Sequence, residues 1–283
     1  MLSLVWERRP TYNNNTEIAK STWITYLKLL YYTCFAIAYG LVGSMADLVM
    51  VNSTWTYNHI HSLWRGTRKH MFIVYPPCDT TELISNEKVK RENWILSIAQ
   101  FRPEKDHKLQ LQSFATFLKQ YNMDTRLILI GSCRNDEDQE RVNELRLECR
   151  KLNIESRVDF VVNAPYDTLK DYLNRAAVGI HTMWNEHFGI GVVEMMAAGL
   201  ITIAHNSGGP ASDIVDLKEP TGYLATSKEE YAAAMHNALQ NGPESPSNNK
   251  LRQNAQRSVN EKFSNQVFIK SFQESVLASK ILD

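Results

Sequence analysis

The chain has 283 residues, of which 43% are apolar and 22% charged, with 31 basic and 31 acidic side chains in balance. That length admits one large domain or two smaller ones, each with a core of its own. Zero net charge removes any global electrostatic case for binding nucleic acid, and no nucleic-acid partner is expected. Cys34, Cys78, Cys133 and Cys149 lack metal-ligand spacing, and their scatter suits free thiols in a reducing compartment. Residues 1–20 hold charged and polar side chains without an apolar run, so no signal peptide is expected there. Asn14 and Asn52 head glycosylation sequons that a cytosol-facing chain leaves bare.

In chain order, the most apolar stretch comes first, at 23–46. Lys28 interrupts it, and Leu29 to Ala46 lies at the lower length limit for crossing a bilayer, with Gly40 and Gly43 breaking its far end. Three readings stay open: a buried domain helix, an interfacial membrane helix, or a spanning one. Tyrosine and lysine near its start suit the lipid boundary. A strand is expected over 46–53, a helix over 52–64 capped by Asn52 or Ser53, and a strand over 71–79 stopped by Pro76 and Pro77. Residues 80–92 read as a polar linker.

From Asn93 strands and helices alternate. Strands are expected at 94–100, 126–132, 157–162, 176–182, 200–206 and 222–226. Helices are expected at 107–121, 138–152, 166–176 and 228–240, with a further helix opening near Ile190. Single helices between strands make βαβ units and a parallel sheet. Residues 241–249 read as a loop of breakers, and 250–283 as one or two helices.

The most informative segment is EHFGIGVVEMMAAG at 186–199. It follows a buried strand with an acidic turn, two glycines and a helix. Backbone N–H groups at such a helix start suit a phosphate, and the glycines let a ligand come close. Glu194 falls about one turn into the helix, where a carboxylate can accept two hydrogen bonds from a sugar diol. A lone pair of glutamates eight apart matches by accident often. Here a second strand and a second glycine turn, SGGP at 207–210, place two loops at the same carboxyl edge of the sheet.

The segment resembles the donor-site motif of retaining glycosyltransferases of the two-domain GT-B type, the group 1 family. The strings VNSTW (51–55), VYPPCD (74–79), SIAQFRPEKDH (97–107), HTMWNEHFGIGVVE (181–194) and AHNSGGP (204–210) extend the likeness over nearly the whole chain. Within the family they resemble the GDP-mannose-dependent alpha-1,2-mannosyltransferases that extend the dolichol-linked oligosaccharide for protein N-glycosylation. The resemblance implies an α/β fold of GT-B type: a Rossmann-like parallel-sheet donor domain plus a remnant of the N-terminal acceptor domain. Residues 1–85 correspond to that remnant, 86–262 to the nucleotide-sugar-binding domain and 263–283 to a C-terminal helix, which in the family packs back on the first domain. Most of the acceptor domain is then missing, as in a truncated copy, an alternative product or an incomplete gene model.

The implied partners are GDP-mannose, the dolichol-linked oligosaccharide, the endoplasmic-reticulum membrane on its cytosolic face, and other mannosyltransferases of the pathway. A departing nucleoside diphosphate needs cations or aimed N–H groups. Arg102 and Lys105, in the turn after the strand 94–100, are the candidate catalytic cations. Many relatives carry an arginine five residues before the lysine, where this chain has Gln100. No Asp-x-Asp pair stands at a strand end, so neither metal nor cofactor is expected. By resemblance Glu186 lies near the transferred sugar, Glu194 holds the ribose hydroxyls, and Gly189 and Ile190 offer the helix start. His187 and Phe188 shape the turn, while Ser207, Gly208 and Gly209 approach sugar or phosphate. Gly131 is placed near base or ribose, and Asn163 to Pro165 in the guanine pocket. Retention of configuration is implied, the departing phosphate taking the acceptor's proton. Three other readings remain: a donor-binding fragment without transferase activity, a GT-B enzyme using another donor such as UDP-glucose, and a non-catalytic scaffold.

Overall fold

Short strand segments rich in Val, Ile, Leu and Ala, with buried residues on both faces at the centre of the sheet, cannot sit at a water-facing sheet. Two of them, AAVGI and ITIAH, are buried at every position. The computed structural model describes residues 21–64, 70–83 and 90–279, and the chain divides into two compact units, 75–270 and 1–74 with 271–283.

In the larger unit the strands are β3 (Glu92–Ile98), β4 (Arg126–Gly131), β5 (Val158–Val162), β6 (Ala176–Ile180), β7 (Ile201–His205) and β8 (Gly222–Ala225). They form one parallel sheet in the order β5-β4-β3-β6-β7-β8. The helices are α3 (Thr80–Leu83), α4 (His107–Tyr121), α5 (Asp136–Lys151), α6 (Tyr166–Arg175), α7 (Ile190–Ala197), α8 (Lys228–Leu239) and α9 (Pro246–Phe263). One face of the sheet is closed by α4, α5 and α8, through Leu111, Phe114, Phe117, Val142 and Tyr231. The other is closed by α6, α7 and α9, through Leu173, Val192, Val193, Met196 and Phe263. Between β3 and β6 the strand order reverses, so the chain leaves these neighbours towards opposite faces. Such a switch point opens a crevice at the carboxyl ends of the strands.

Arg91 fastens the opposite edge. Its guanidinium donates to Leu173 O at 3.1 Å, Ala176 O at 2.6 Å and Ala198 O at 2.5 Å, the carbonyls that end α6 and α7. A cation there answers the negative helix ends. Burial, with Arg252 nearby, lowers its pKa to about 10, and it stays charged.

The smaller unit holds α1 (Thr22–Gly43), β1 (Val49–Val51), α2 (Thr54–Leu63) and β2 (Met71–Ile73), the two strands pairing in parallel. Ser53 caps α2, its hydroxyl accepting from Thr56 N at 3.0 Å. α1 is long and apolar enough to cross a membrane by length and composition, yet only 6% of its most apolar window is buried. Trp23, Leu30, Phe35 and Leu41 are among its exposed side chains. The last helix is α10 (Asn265–Ser279), of which 265–270 are counted with the larger unit and 271–279 with the smaller.

Several expectations need correction. Gly40 does not break α1 but sits inside it, where a Cβ would come within 3.0 Å of Leu63 O. The breaker-rich loop ends early. α9 starts at Pro246, because Ser245 caps it and proline fits the first helical position. The linker contains α3, and its residues 84–89 lie outside the described residues, as do 1–20 with Asn14, and 280–283. A π-helical turn at Pro210–Ile214, unforeseen in the sequence, follows the second glycine turn.

Candidate functional site at the sheet switch point

Two loops leave the carboxyl ends of β3 and β6, and they meet. After β3 the chain makes a single 3-10 turn, Pro103–Lys105, and Asp106 then caps α4 from the left-handed region at φ 47°. After β6 come His181 and Thr182, both buried. Thr182 Oγ1 lies 2.8 Å from Lys105 O and 3.1 Å from Asp106 O, and accepts from Gln110 Nε2 at 3.0 Å. That buried hydroxyl sets the height of the turn bearing Lys105. Paired polar groups in low dielectric fix geometry strongly.

Lys105 Nζ reaches across to Glu186 Oε2 at 2.6 Å and to Met183 Sδ at 3.2 Å. His181 Nε2 lies 3.3 Å from the same oxygen, outside hydrogen-bond geometry. Tyr231 holds the histidine's backbone, its buried hydroxyl donating to His181 O at 2.9 Å. Burial pushes the Glu186 carboxyl up. His181 and Lys105 outweigh it and bring its pKa to about 2. Glu186 is therefore a fixed anion near neutral pH. His107, at the start of α4, is buried, and burial, then Lys105, His181 and Arg141, push it down to about 3.

The acidic turn is clamped to the second glycine turn. Gly209 N donates to Glu186 O at 2.8 Å, and Asn185 N to Ser207 Oγ at 2.8 Å. Ser207 Oγ also meets His205 Nδ1 at 2.9 Å. Gly208 has φ 63°, and a Cβ there would lie 2.2 Å from Glu186 O, so no larger residue fits without moving the acidic turn. Phe188 is buried, stacked on Tyr75 and edge-on to Phe263. His187 is exposed beside it, its N–H 3.2 Å from Glu186 Oε1.

Gly189, at φ 109°, turns the chain into α7 and supplies no side-chain cap. Ile190 and Gly191 thus open the helix with N–H groups free of intrahelical partners. Glu194 stands one turn in, half-buried. Its carboxylate makes no hydrogen bond or ion pair with a described residue, and burial raises its pKa. Such a carboxylate is short of donors. Hydroxyls supply them without the repulsion a phosphate would bring.

The structure thus brings together Lys105, Glu186, Gly189, Ile190 and the clamp residues. Ser207 and Gly209 bond to the acidic turn, so their local work is to hold it. Arg102 stands apart: its guanidinium lies 3.8 Å from Glu104, and it lines a cavity between α4 and α5 whose lining does not include Glu186. Gly131 is pressed against β3, where a Cβ would sit 1.8 Å from Ala99 O. Asn163, at φ 54°, ties the neighbouring loop, its Oδ1 accepting from Cys133 N at 2.9 Å and its N–H donating to Gly131 O at 2.9 Å. His181, Thr182, Gln110 and Tyr231 were not singled out from the sequence. The available signal was a histidine and a threonine closing an otherwise apolar strand, where the crevice opens.

The chain is similar to known proteins in sequence and in fold. The family of glycosyl transferases group 1 matches residues 79–258, and the ALG11 mannosyltransferase N-terminus matches 1–64. A Xenopus laevis protein named GDP-Man:Man(3)GlcNAc(2)-PP-Dol alpha-1,2-mannosyltransferase is 48% identical over 282 residues, 96% of this chain and 57% of its own length. The Homo sapiens protein of the same name is 46% identical, covering 98% of this chain and 57% of its own. The chain thus spans a little over half the length of these curated relatives. Among solved structures, a Rickettsia africae glycosyltransferase superposes with TM-score 0.73 at 16% identity, over 88% of this chain and 68% of that one. Anabaena HepE in complex with UDP gives 0.72 at 19%, over 84% and 65%. Those two likenesses concern the fold.

Proposed function

Because this chain belongs to the group 1 glycosyltransferases, we propose that its switch-point crevice binds GDP-mannose. The mannose then passes to a dolichol-diphosphate-linked oligosaccharide in alpha-1,2 linkage, for protein N-glycosylation. The observation that carries the reading is the meeting of Lys105 and Glu186 at the glycine-led start of α7. The names of the relatives support the choice of sugar and acceptor.

In this reading the diphosphate lies against the N–H groups of Ile190 and Gly191, with Lys105 beside it. A lysine and a helix start together stabilise charge that develops as the glycosidic bond breaks. Glu186, held as an anion, accepts hydroxyls of the transferred sugar. Lys105 is shared: its ion pair with Glu186 loosens as the diphosphate competes for the ammonium. Glu194 accepts the two ribose hydroxyls. Gly131 and Asn163 to Pro165 line the base end. The acceptor hydroxyl attacks from the leaving-group side, and a phosphate oxygen takes its proton. Arg102 contributes long-range field to the diphosphate rather than a contact.

The acceptor chemistry carries a lipid, and the exposed apolar side chains of α1 support attachment to the endoplasmic-reticulum membrane. Work on the cytosolic face, beside other mannosyltransferases of the pathway, belongs to the same proposal.

Calorimetric titration of the chain with GDP, GDP-mannose and UDP tests the donor site. Guanine-nucleotide binding that weakens in Glu194→Ala is expected. Equal affinity for UDP, or no binding by a folded sample, overturns the donor assignment. Flotation with vesicles, with and without residues 1–50, tests the membrane part, and loss of association in the shortened chain is expected.

A further inference from the structure

We propose that the cavity between α4 and α5 is a second ligand site, separate from the donor crevice, that takes a phosphorylated sugar without a nucleotide. The cavity has a volume of about 550 Å³, within the range of small-molecule sites. Its lining comes from the turn after β3, the start of α4 and one face of α5.

Three cations without a close ion pair line it: Arg102 from the turn, Lys108 from the first turn of α4, and Arg141 from the second turn of α5; Asp106 shares the lining, and Lys151 lies 3.9 Å from Glu148. Glu144 and Glu148 share the cavity, yet neither Lys108 nor Arg141 forms an ion pair with a described residue. Arg102 has only the 3.8 Å approach of Glu104. The Nε atoms of Arg102 and Arg141 are shielded from water and lack hydrogen-bond partners. Unpaired guanidinium nitrogens at a buried position are costly, and a bound oxyanion relieves the cost if the planes rotate slightly towards it. On a convex charged surface these groups would each be solvated separately. Gathered in a concave wall, they add their fields.

The remaining lining decides what the anion is attached to. Glu144 and Glu148 lie on successive turns of α5 beyond Arg141, and Glu148 is about 10 Å along the axis from it at 1.5 Å per residue. Carboxylates at that distance repel a second phosphate and accept hydroxyls. Leu145 and Pro103 offer apolar surface to a ring face. His107, buried at the edge of the same lining, stays neutral and adds no charge. A charged head followed by a hydroxyl-rich ring matches this sequence of groups.

The site does not depend on the donor reading. Lys105 and Glu186 are absent from the cavity lining. The test is titration of the full chain with glucose 6-phosphate, inorganic phosphate and glucose, with and without saturating GDP. Glucose 6-phosphate is expected to bind tighter than phosphate or glucose, and to persist under GDP. Arg141→Ala and Lys108→Ala should each weaken it roughly tenfold, with unchanged thermal unfolding and unchanged GDP affinity. Lys105→Ala should leave it intact. Lys108 is exposed, so its variant keeps the test valid if the Arg141 variant is unstable. Displacement by GDP, or loss in Lys105→Ala alone, overturns the proposal in favour of the donor crevice. Equal affinity for inorganic phosphate overturns the sugar assignment, and no binding by any probe overturns the site.

Discussion

Glu186 and Glu194 are the same residue type, eight positions apart and comparably buried, yet their surroundings drive them in opposite directions. Glu186 lies 2.6 Å from Lys105 and 3.3 Å from His181, and its pKa falls to about 2. Glu194, on the helix that follows, has burial alone acting on it, and its pKa rises. One carboxylate is satisfied by the protein. The carboxylate of the other meets no partner among the described residues. The spacing of the two glutamates is a property of the chain, but the division of labour between them comes from what the other loop brings.

The largest effect should come from Glu186→Gln. If Glu186 lies at the transferred sugar as proposed, removing its charge should cost on the order of 10²–10³-fold in transfer rate, as for other groups aimed at developing charge. Measured with GDP-mannose and a lipid-linked acceptor, a rate within a factor of two of the unsubstituted chain would sink the role of Glu186.

The next contrast is in stability, and its sign separates the two glutamates. Glu186 has a folded pKa depressed from the ordinary 4.5 to about 2. Its stabilisation is present above pH 4.5 and is lost as pH falls towards 2, for a total on the order of 3 kcal/mol. Glu194 has a raised folded pKa, so its ionised form opposes folding near neutral pH, and stability returns as pH falls through that value. Glu186→Gln should therefore lower the unfolding temperature at pH 7, while Glu194→Gln should raise it slightly. Shifts of the same sign in thermal melts would show that the two environments are alike.

Nucleotide affinity sharpens the comparison further. Glu194→Ala is expected to weaken GDP binding roughly tenfold, about 1.4 kcal/mol, by leaving two hydroxyls without acceptors. Protonation has the same effect, so GDP affinity should decline as pH drops through the raised Glu194 pKa, and that slope should vanish in Glu194→Gln. A slope that survives the substitution assigns the titration elsewhere.

The smallest expected effect concerns Thr182, whose hydroxyl positions Lys105 through its backbone. Thr182→Val keeps the shape and removes that link. GDP affinity should fall a few-fold, with Thr182→Ser restoring it. If valine and serine weaken binding equally, the hydroxyl is not what positions the lysine.

Much of this was legible before any tertiary contact was known. Every strand expected from Asn93 onward is present, and all but the one at 157–162 stop short at the carboxyl end, because the loop residues after them share their apolar character. The parallel sheet followed from alternation of period, and Lys105, Glu186 and the start of α7 were candidates by residue type and position. Other features were illegible. His181 and Thr182 looked like the tail of a buried strand. Pro246 looked like a loop residue, though proline at a helix start violates nothing. The exposure of α1 could not be decided, since a buried, an interfacial and a spanning helix share one composition.

The sequence by itself determined which segments form strands and helices, that the strands run parallel, and where a glycine-led helix start opens at the carboxyl edge of the sheet. Those are local matters of periodicity, glycine placement and backbone N–H groups. Only the tertiary structure decided that Lys105 turns to Glu186 while Arg102, three residues earlier, turns to the α4–α5 cavity. It also decided that Ser207 and Gly209 clamp the acidic turn. Charges and donors acquire partners only when loops distant in sequence are brought within a few ångströms. A Coulomb or hydrogen-bond term of that kind depends on distance and burial, which no single segment contains.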